Sequence, residues 1–415
     1  MITKFHFFTL ITVLFCLIVI FAVTVTSSVS LGESDVTIES NEKSDRSNYA
    51  SESIDDISDL LDLSIEDVSV GSEEILHNSD VLVNTDPDVE SETYLENDLA
   101  NDLENDVKHG WVINEYGYTY VFKDAGYEQF NYKTSALDRY VSSLNAFSEK
   151  LPYNIRLFNV IVPVSSTFVD IPKNIYVGDN FFNQSQSAFC STVATMSNGR
   201  VISVPLVEVL ENRYDAGDYV YFRTDKNWTS LGAYIAYREF CEAAEFNAYS
   251  EDTFKKIDIG EYLGSFYNAT RSSQMQDNPD RFFLMPMCES VKSTMTVYSD
   301  GRIYTNYLFC NNSYNINSAY NVFLGREAER YEIHTNAGGG SLLIIGDSSV
   351  NAFLPFVASH YSRIDYINPN LMKTSLEDFI KGRNYDDCIL MCYSTNAISG
   401  EYIPLLNIFT GANNE

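Results

Sequence analysis

Two short stretches hold residue types suited to acyl chemistry. The first is Gly346-Asp347-Ser348, directly after the apolar run 341–345 (SLLII). A serine at a strand-to-helix turn sits at the carboxyl edge of a parallel sheet, where ligands bind. Backbone N–H groups at the helix start can hold an oxyanion there. Gly-Asp-Ser is also an ordinary turn and helix cap, so the motif alone does not decide. The second is Arg223-Thr224-Asp225-Lys226-Asn227-Trp228-Thr229, ahead of a helical pattern. Asp225 is spaced to orient a base two residues on. The residue there is Asn227, whose amide takes no proton near neutral pH. Local reading alone fits a capped helix start with Trp228 packed beneath it.

The chain has five histidines: His6, His77, His109, His334 and His360. His334, expected in a loop before the serine strand, is the one candidate substitute base. His360 ends the helix after Ser348, roughly 18 Å away at helical rise, too far for a proton relay. Metal and phosphate chemistry find no support. Cys388-x-x-x-Cys392 lacks a second ligand pair, and no Lys-Ser/Thr follows Gly338-Gly339-Gly340. No cofactor is implied. The cysteines beyond Cys16 have irregular spacing and fall largely in apolar segments, which favours free buried thiols over disulfides.

The elements that must position these residues are legible. Apolar residues at steps of three and four predict a helix over Thr134–Lys150. Further helices are expected over 183–196, 205–212, 229–245, 350–360 and 376–383. Strands are expected at Arg156–Val162, 201–204, 219–223, 341–345, 364–367 and 388–393. These runs are mostly continuous rather than alternating, which predicts a mostly parallel sheet covered on both faces. Residues 246–340 are less regular and read as an insertion with a small antiparallel element, its strands near 294–298 and 303–309.

Charge separates the chain into parts. Asp and Glu total 58 against 27 Lys and Arg, a net charge of −31 that argues against nucleic-acid binding. Residues 31–110 hold 24 of those acids and three basic residues. Such a segment cannot bury enough apolar surface to order itself and reads as an acidic disordered stalk. Before it, 5–25 is an apolar run of roughly membrane-spanning length. Residues 1–30 are therefore a signal-anchor, or a signal peptide cleaved in the small-residue stretch 25–30. Either places the remainder, 111–415, outside the cytoplasm, anchored to the plasma membrane or secreted.

The two motifs together resemble a family. Thr-Asp-Lys-Asn-Trp-Thr-Ser-Leu-Gly-Ala-Tyr at 224–234 resembles the Thr-Asp-His-His-Trp-Thr-x-x-Gly-Ala-Tyr signature of the DHHW proteins of Gram-positive bacteria. These are similar to alginate O-acetylation proteins within the SGNH/GDSL hydrolase-like superfamily. The stretch 343–356 resembles that family's serine block, and Gly264-Ser265-Phe266-Tyr267 and Phe323-Leu324-Gly325 match its landmarks in order. The resemblance implies a three-layer α/β/α domain. It also implies Ser348 as nucleophile position, Asp225 as orienting acid and Asn227 at the base position, with Lys226 in place of the preceding His. Gly346, Asp347, Asn351, Trp228 and Lys226 become oxyanion or site-supporting candidates. A further departure is Gly325-Arg326-Glu327, where the family often has Gly-Gly-Asn, its Asn a candidate oxyanion donor. The expectation is a degenerate relative of polysaccharide O-acetyltransferases and esterases. It would bind a cell-surface polysaccharide or a protein of the acetylation machinery. The alternative is an active enzyme with a non-standard base, His334 or a water held by Asp225 and Asn227.

Overall fold

The structure, a computed structural model, describes residues 110–114, 117–171, 181–306, 308, 316–372 and 376–399. The expected membrane segment and acidic stalk lie outside the described residues. Among the described residues no helix is long and apolar enough to cross a membrane.

The described chain opens with a three-stranded antiparallel sheet, β1 (Gly110–Asn114), β2 (Gly117–Phe122) and β3 (Ala125–Tyr127). Then come α1 (Thr134–Lys150), β4 (Arg156–Val162), α2 (Gln186–Met196), β5 (Val201–Ser203), α3 (Val207–Asp215) and α4 (Ser230–Ala243). Next are β6 (Ile257–Tyr262), α5 (Ser265–Thr270), α6 (Ser273–Asp277), β7 (Asp280–Leu284), β8 (Ser293–Ser299), β9 (Arg302–Asn306) and β10 (Arg330–Thr335). The last are β11 (Ser341–Gly346), α7 (Ser349–Val357), β12 (Arg363–Ile367), α8 (Leu376–Ile380), β13 (Asp387–Tyr393) and α9 (Ser394–Ile398).

Eight strands form one mixed sheet in the order β5-β4-β13-β11-β12-β10-β8-β9. The first five run parallel. Every residue of β13 is buried, as are Leu342–Gly346 of β11. A strand covered on both faces has no polar side to alternate, hence the unbroken apolar runs. Neighbouring residues of β4 report what covers each face, because successive side chains point oppositely. Phe158 meets Phe240 of α4 edge-on at 5.1 Å. Asn159 accepts a 2.8 Å hydrogen bond from Tyr140 of α1.

Two expectations need correction. The sheet is less parallel than its apolar strands suggest, because 246–340 is not merely a separate small element. Its strands β8, β9 and β10 extend the main sheet antiparallel beyond β12. The burial of β8 alternates in its centre, and β9 is nearly all exposed. A sheet margin with one wet face tolerates polar residues that a continuous-run criterion passes over. The antiparallel pair β6–β7, connected through α5 and α6, stands apart as its own two-stranded sheet. Second, 219–223 is not a strand. It makes a single bridge, Tyr221 to Trp228, because the chain doubles back on itself. Thr229 N donates to Val220 O at 3.0 Å, and the N–H groups of Arg223 and Thr224 are taken by the buried Asp280 carboxylate. That loop presents Asp225, Lys226 and Asn227.

Candidate active site

Ser348 and Asn227, 121 residues apart in sequence, meet at the carboxyl edge of β11 and β13. Gly346 ends β11 where β13 passes so close that an added Cβ would come 2.4 Å from Met391 O and 2.6 Å from Val350. The chain then turns into α7. Ser348 is the N-cap residue of α7, yet its side chain makes no capping bond. Asp347 caps instead, accepting from Ser349 N at 2.9 Å and Ser349 Oγ at 2.6 Å. Its other oxygen accepts from Tyr393 N at 2.9 Å and Asn396 Nδ2 at 2.6 Å. Asp347 therefore binds α7 to the end of β13, and the half-buried Ser348 hydroxyl is left free to face the site.

That hydroxyl donates to Asn227 Oδ1 at 3.1 Å. Asn227 Nδ2 donates to Asp225 Oδ1 at 2.6 Å. The amide can sit only one way round. A carboxylate accepts and does not donate, so nitrogen faces Asp225 and oxygen faces the serine. Tyr393 OH also donates to Oδ1, at 3.2 Å, while accepting from Trp228 N at 3.2 Å. The result is the hydrogen-bond pattern of a neutral His between Asp and Ser, with an amide as the middle group.

Asp225 is held as firmly. Both it and Asn227 are buried. Its second oxygen accepts from Tyr262 OH at 2.7 Å and Ser265 N at 2.6 Å. The approach of Ser265 depends on Gly264, where a Cβ would come 2.2 Å from the Asp225 side chain. Trp228 is fully buried, and its indole N–H donates to Ser349 O at 3.1 Å, joining the two motif segments from beneath. Asn351 is half-buried on the first turn of α7, 3.5 Å from Tyr366 OH. Arg326 is exposed, and its carbonyl accepts from Tyr331 OH.

Charge around the site is mostly negative. Burial lowers the Lys226 pKa, but the carboxylates of Glu128, Asp347, Asp225 and Glu327 outweigh it, and the net shift is upward. Burial raises the Glu128 pKa; Lys226 opposes this, and Asp347 and Asp225 add to it. Sequence reasoning passed over Glu128, Tyr262 and Tyr393. Tyr393 had a local signal, as the polar-tipped residue ending an apolar strand; the other two had none.

The two described histidines lie at the wrong end of the sheet. Arg363 pairs with both His334 and Ser341, so His334 is level with the start of β11. Seven residues of strand then separate that level from Ser348, roughly 20 Å. His334 as substitute base is thereby ruled out. His360 precedes β12 at the same far end, bonded to Tyr237 OH at 2.7 Å and stacked on Phe246. Burial pushes its pKa below the ordinary value. Its contribution to stability is full above the usual His pKa of about 6.5 and is lost as pH falls through the lowered value. We expect the melting temperature to fall between about pH 7 and about pH 5, and less steeply in His360→Gln. Thermal unfolding followed by circular dichroism across that range checks it.

Among the described residues no group of three or more His, Cys, Asp or Glu could hold a metal. Cys190, Cys241, Cys288, Cys388 and Cys392 are free thiols. As built, the site keeps the serine aligned on Asn227, while the N–H groups of Ser349, Val350 and Asn351 at the helix start, expected to hold an oxyanion, are bonded to Asp347 and Ser348. It has no group in the base position able to take the serine proton.

Comparison with known proteins bears on the family and the fold. The family model described as DHHW protein matches residues 32–367. The structure of a DHHW family protein from Eubacterium siraeum DSM 15702 is similar, with TM-score 0.62 and 25% identity, covering 72% of this chain and 98% of that one. Bacillus cereus PatB1, solved with a sulfonyl adduct, has a similar fold at TM-score 0.57 and 13% identity, covering 71% of this chain and 99% of its own. No curated protein matches. Though its own motif reads Asp-Lys-Asn-Trp, this chain belongs to the DHHW protein family.

Proposed function

We propose that this is an extracytoplasmic, membrane-tethered SGNH-like protein of the cell envelope. It is a degenerate relative of polysaccharide O-acetyltransferases and esterases that holds an acylated or acylatable glycan, or a partner from the acetylation machinery, with little turnover. The observation that carries the reading is Asn227 bridging Asp225 at 2.6 Å and Ser348 at 3.1 Å. The alignment of a triad survives, while the middle group cannot accept a proton. Loss of a triad member costs about four to six orders of magnitude, leaving the residual that binding and oxyanion contacts supply.

The test is hydrolysis of p-nitrophenyl acetate by the purified ectodomain. We expect a rate at the level of Ser348→Ala. A rate well above that variant and lost with it overturns the reading. A second reading, an active enzyme, draws support from the serine hydroxyl kept aligned on Asn227 and, through it, on Asp225. It requires that a fluorophosphonate probe label Ser348.

A further inference from the structure

The two edges of the main sheet are finished differently. At one end β5 is three residues long and half-buried, and so short an edge offers little to a foreign strand. At the other end β9 is five residues long and lies open. Ile303 is 68% exposed and Tyr304 43%. The devices that usually blunt an open edge are missing from β9. It has no Pro, no Lys and no bulge against β8, and its one charge is Arg302, at its start.

The turn decides which backbone groups of β9 are free. Asp300 and Gly301 join β8 to β9 with positive φ at both, 50° and 70°, the two-residue type I′ turn of a tight hairpin. In such a turn the N–H of Arg302 bonds back to Ser299 O. Alternation then aims the backbone groups of Arg302, Tyr304 and Asn306 at β8, and those of Ile303 and Thr305 away from it. Among the described residues nothing takes up the N–H and C=O groups of Ile303 and Thr305 on that outer side.

These free groups match a second copy of themselves. About a two-fold axis through Tyr304, an antiparallel partner strand sets Ile303 opposite Thr305 of the second copy, and Thr305 opposite its Ile303. Each pair exchanges both of its N–H···O bonds. It is the alignment in which both outward residues find partners within β9. The two Tyr304 side chains then meet at the non-hydrogen-bonded position, where side chains approach most closely, as a cross-strand aromatic pair. Arg302 falls opposite Asn306, so no like charges are opposed. Since the same patch serves on both copies, the pairing closes at two and does not grow into a fibre.

We propose that β9 is a self-association edge, through which two copies of this chain join their main sheets into one. This goes beyond the reading of the site and holds whether or not Ser348 turns over. Strands this short bury little area, so the dimer is weak, with a dissociation constant of roughly 10–500 µM.

Sedimentation equilibrium of the purified full chain in density-matched detergent should show this monomer–dimer exchange. Tyr304→Lys places two ammonium groups across the axis, and Thr305→Pro deletes an outward N–H that β8 does not use. Each should raise the dissociation constant about tenfold or more. Both residues are exposed, and melting curves like the parent's should show that the fold survives. Under mild oxidation Tyr304→Cys should give a disulfide-linked dimer above the parent's background, whereas Thr305→Cys, which faces Ile303, should not. A parent that stays monomeric at about 1 mM overturns the proposal and leaves the edge to a strand of another protein. A dimer that neither Tyr304→Lys nor Thr305→Pro weakens overturns it as well, because that dimer uses another surface. So does cross-linking by Thr305→Cys as efficient as that by Tyr304→Cys.

Discussion

Asn227→His combined with Tyr393→Phe should raise ester hydrolysis by about 10²–10⁴-fold over the parent, the range a positioned general base supplies. Asn227 already spans from Asp225 to Ser348, so an imidazole in its place has both partners waiting. The single change should achieve much less. The Asn227 oxygen has two lone pairs and accepts from both Ser348 and Tyr393. A neutral imidazole offers one acceptor lone pair, and Tyr393 OH would compete with the serine for it. The parent, both single variants and the double variant, assayed with p-nitrophenyl acetate, form a cycle that isolates this coupling. Full activity in Asn227→His alone would show that Tyr393 turns aside freely. No gain in any variant, with Ser348→Ala as baseline, would mean that the serine is not presented to an acyl group.

Asp347→Ala should be among the most destabilising substitutions in the domain, about 4 kcal/mol or more. Asp347 is 5% exposed and accepts four hydrogen bonds from Ser349, Tyr393 and Asn396. Alanine leaves those donors facing apolar surroundings, at about 1–3 kcal/mol for each that finds no water. The melting temperature should drop by roughly 10 °C, given about 2–4 °C per kcal/mol in domains of this size. Its neighbour makes the control. Ser348→Ala removes one bond from a half-buried hydroxyl and should cost under about 1.5 kcal/mol. Thermal and urea unfolding of the two variants side by side measures the contrast. Similar losses in both would mean that Asp347 is not the clamp its four bonds describe.

Much of the site was legible before any coordinates. The motif spacing located Asp225, Asn227 and Ser348, and the type of residue at 227 told what chemistry was missing. Helix α1 and strand β4 came out with the expected bounds, because a 3.6-residue period and an unbroken apolar run are local signals. The reading of 219–223 as a strand failed because the chain doubles back at once, Phe222 N donating to Asn227 O and Thr229 N to Val220 O, while Asp280, more than fifty residues on, takes the Arg223 N–H. Strand β10, though paired on both sides, escaped notice because its central residues mix Tyr, Glu, Ile and His and so form no continuous apolar run.

By its sequence alone, then, this chain declared its family, the order of its motifs and the absence of a histidine where a base belongs. Residue types and near-neighbour spacing suffice for those, since they need no knowledge of what packs against what. Tertiary structure alone decided that Asp225, Asn227 and Ser348 are within hydrogen-bonding reach, that the Asn227 amide faces Ser348 with its oxygen, and that His334 lies at the far end of the sheet. Each depends on pairing between segments tens to more than a hundred residues apart. Those pairings are selected by burial of β11 and β13 between helices and by closing of polar bonds in the interior. No local window of sequence contains either.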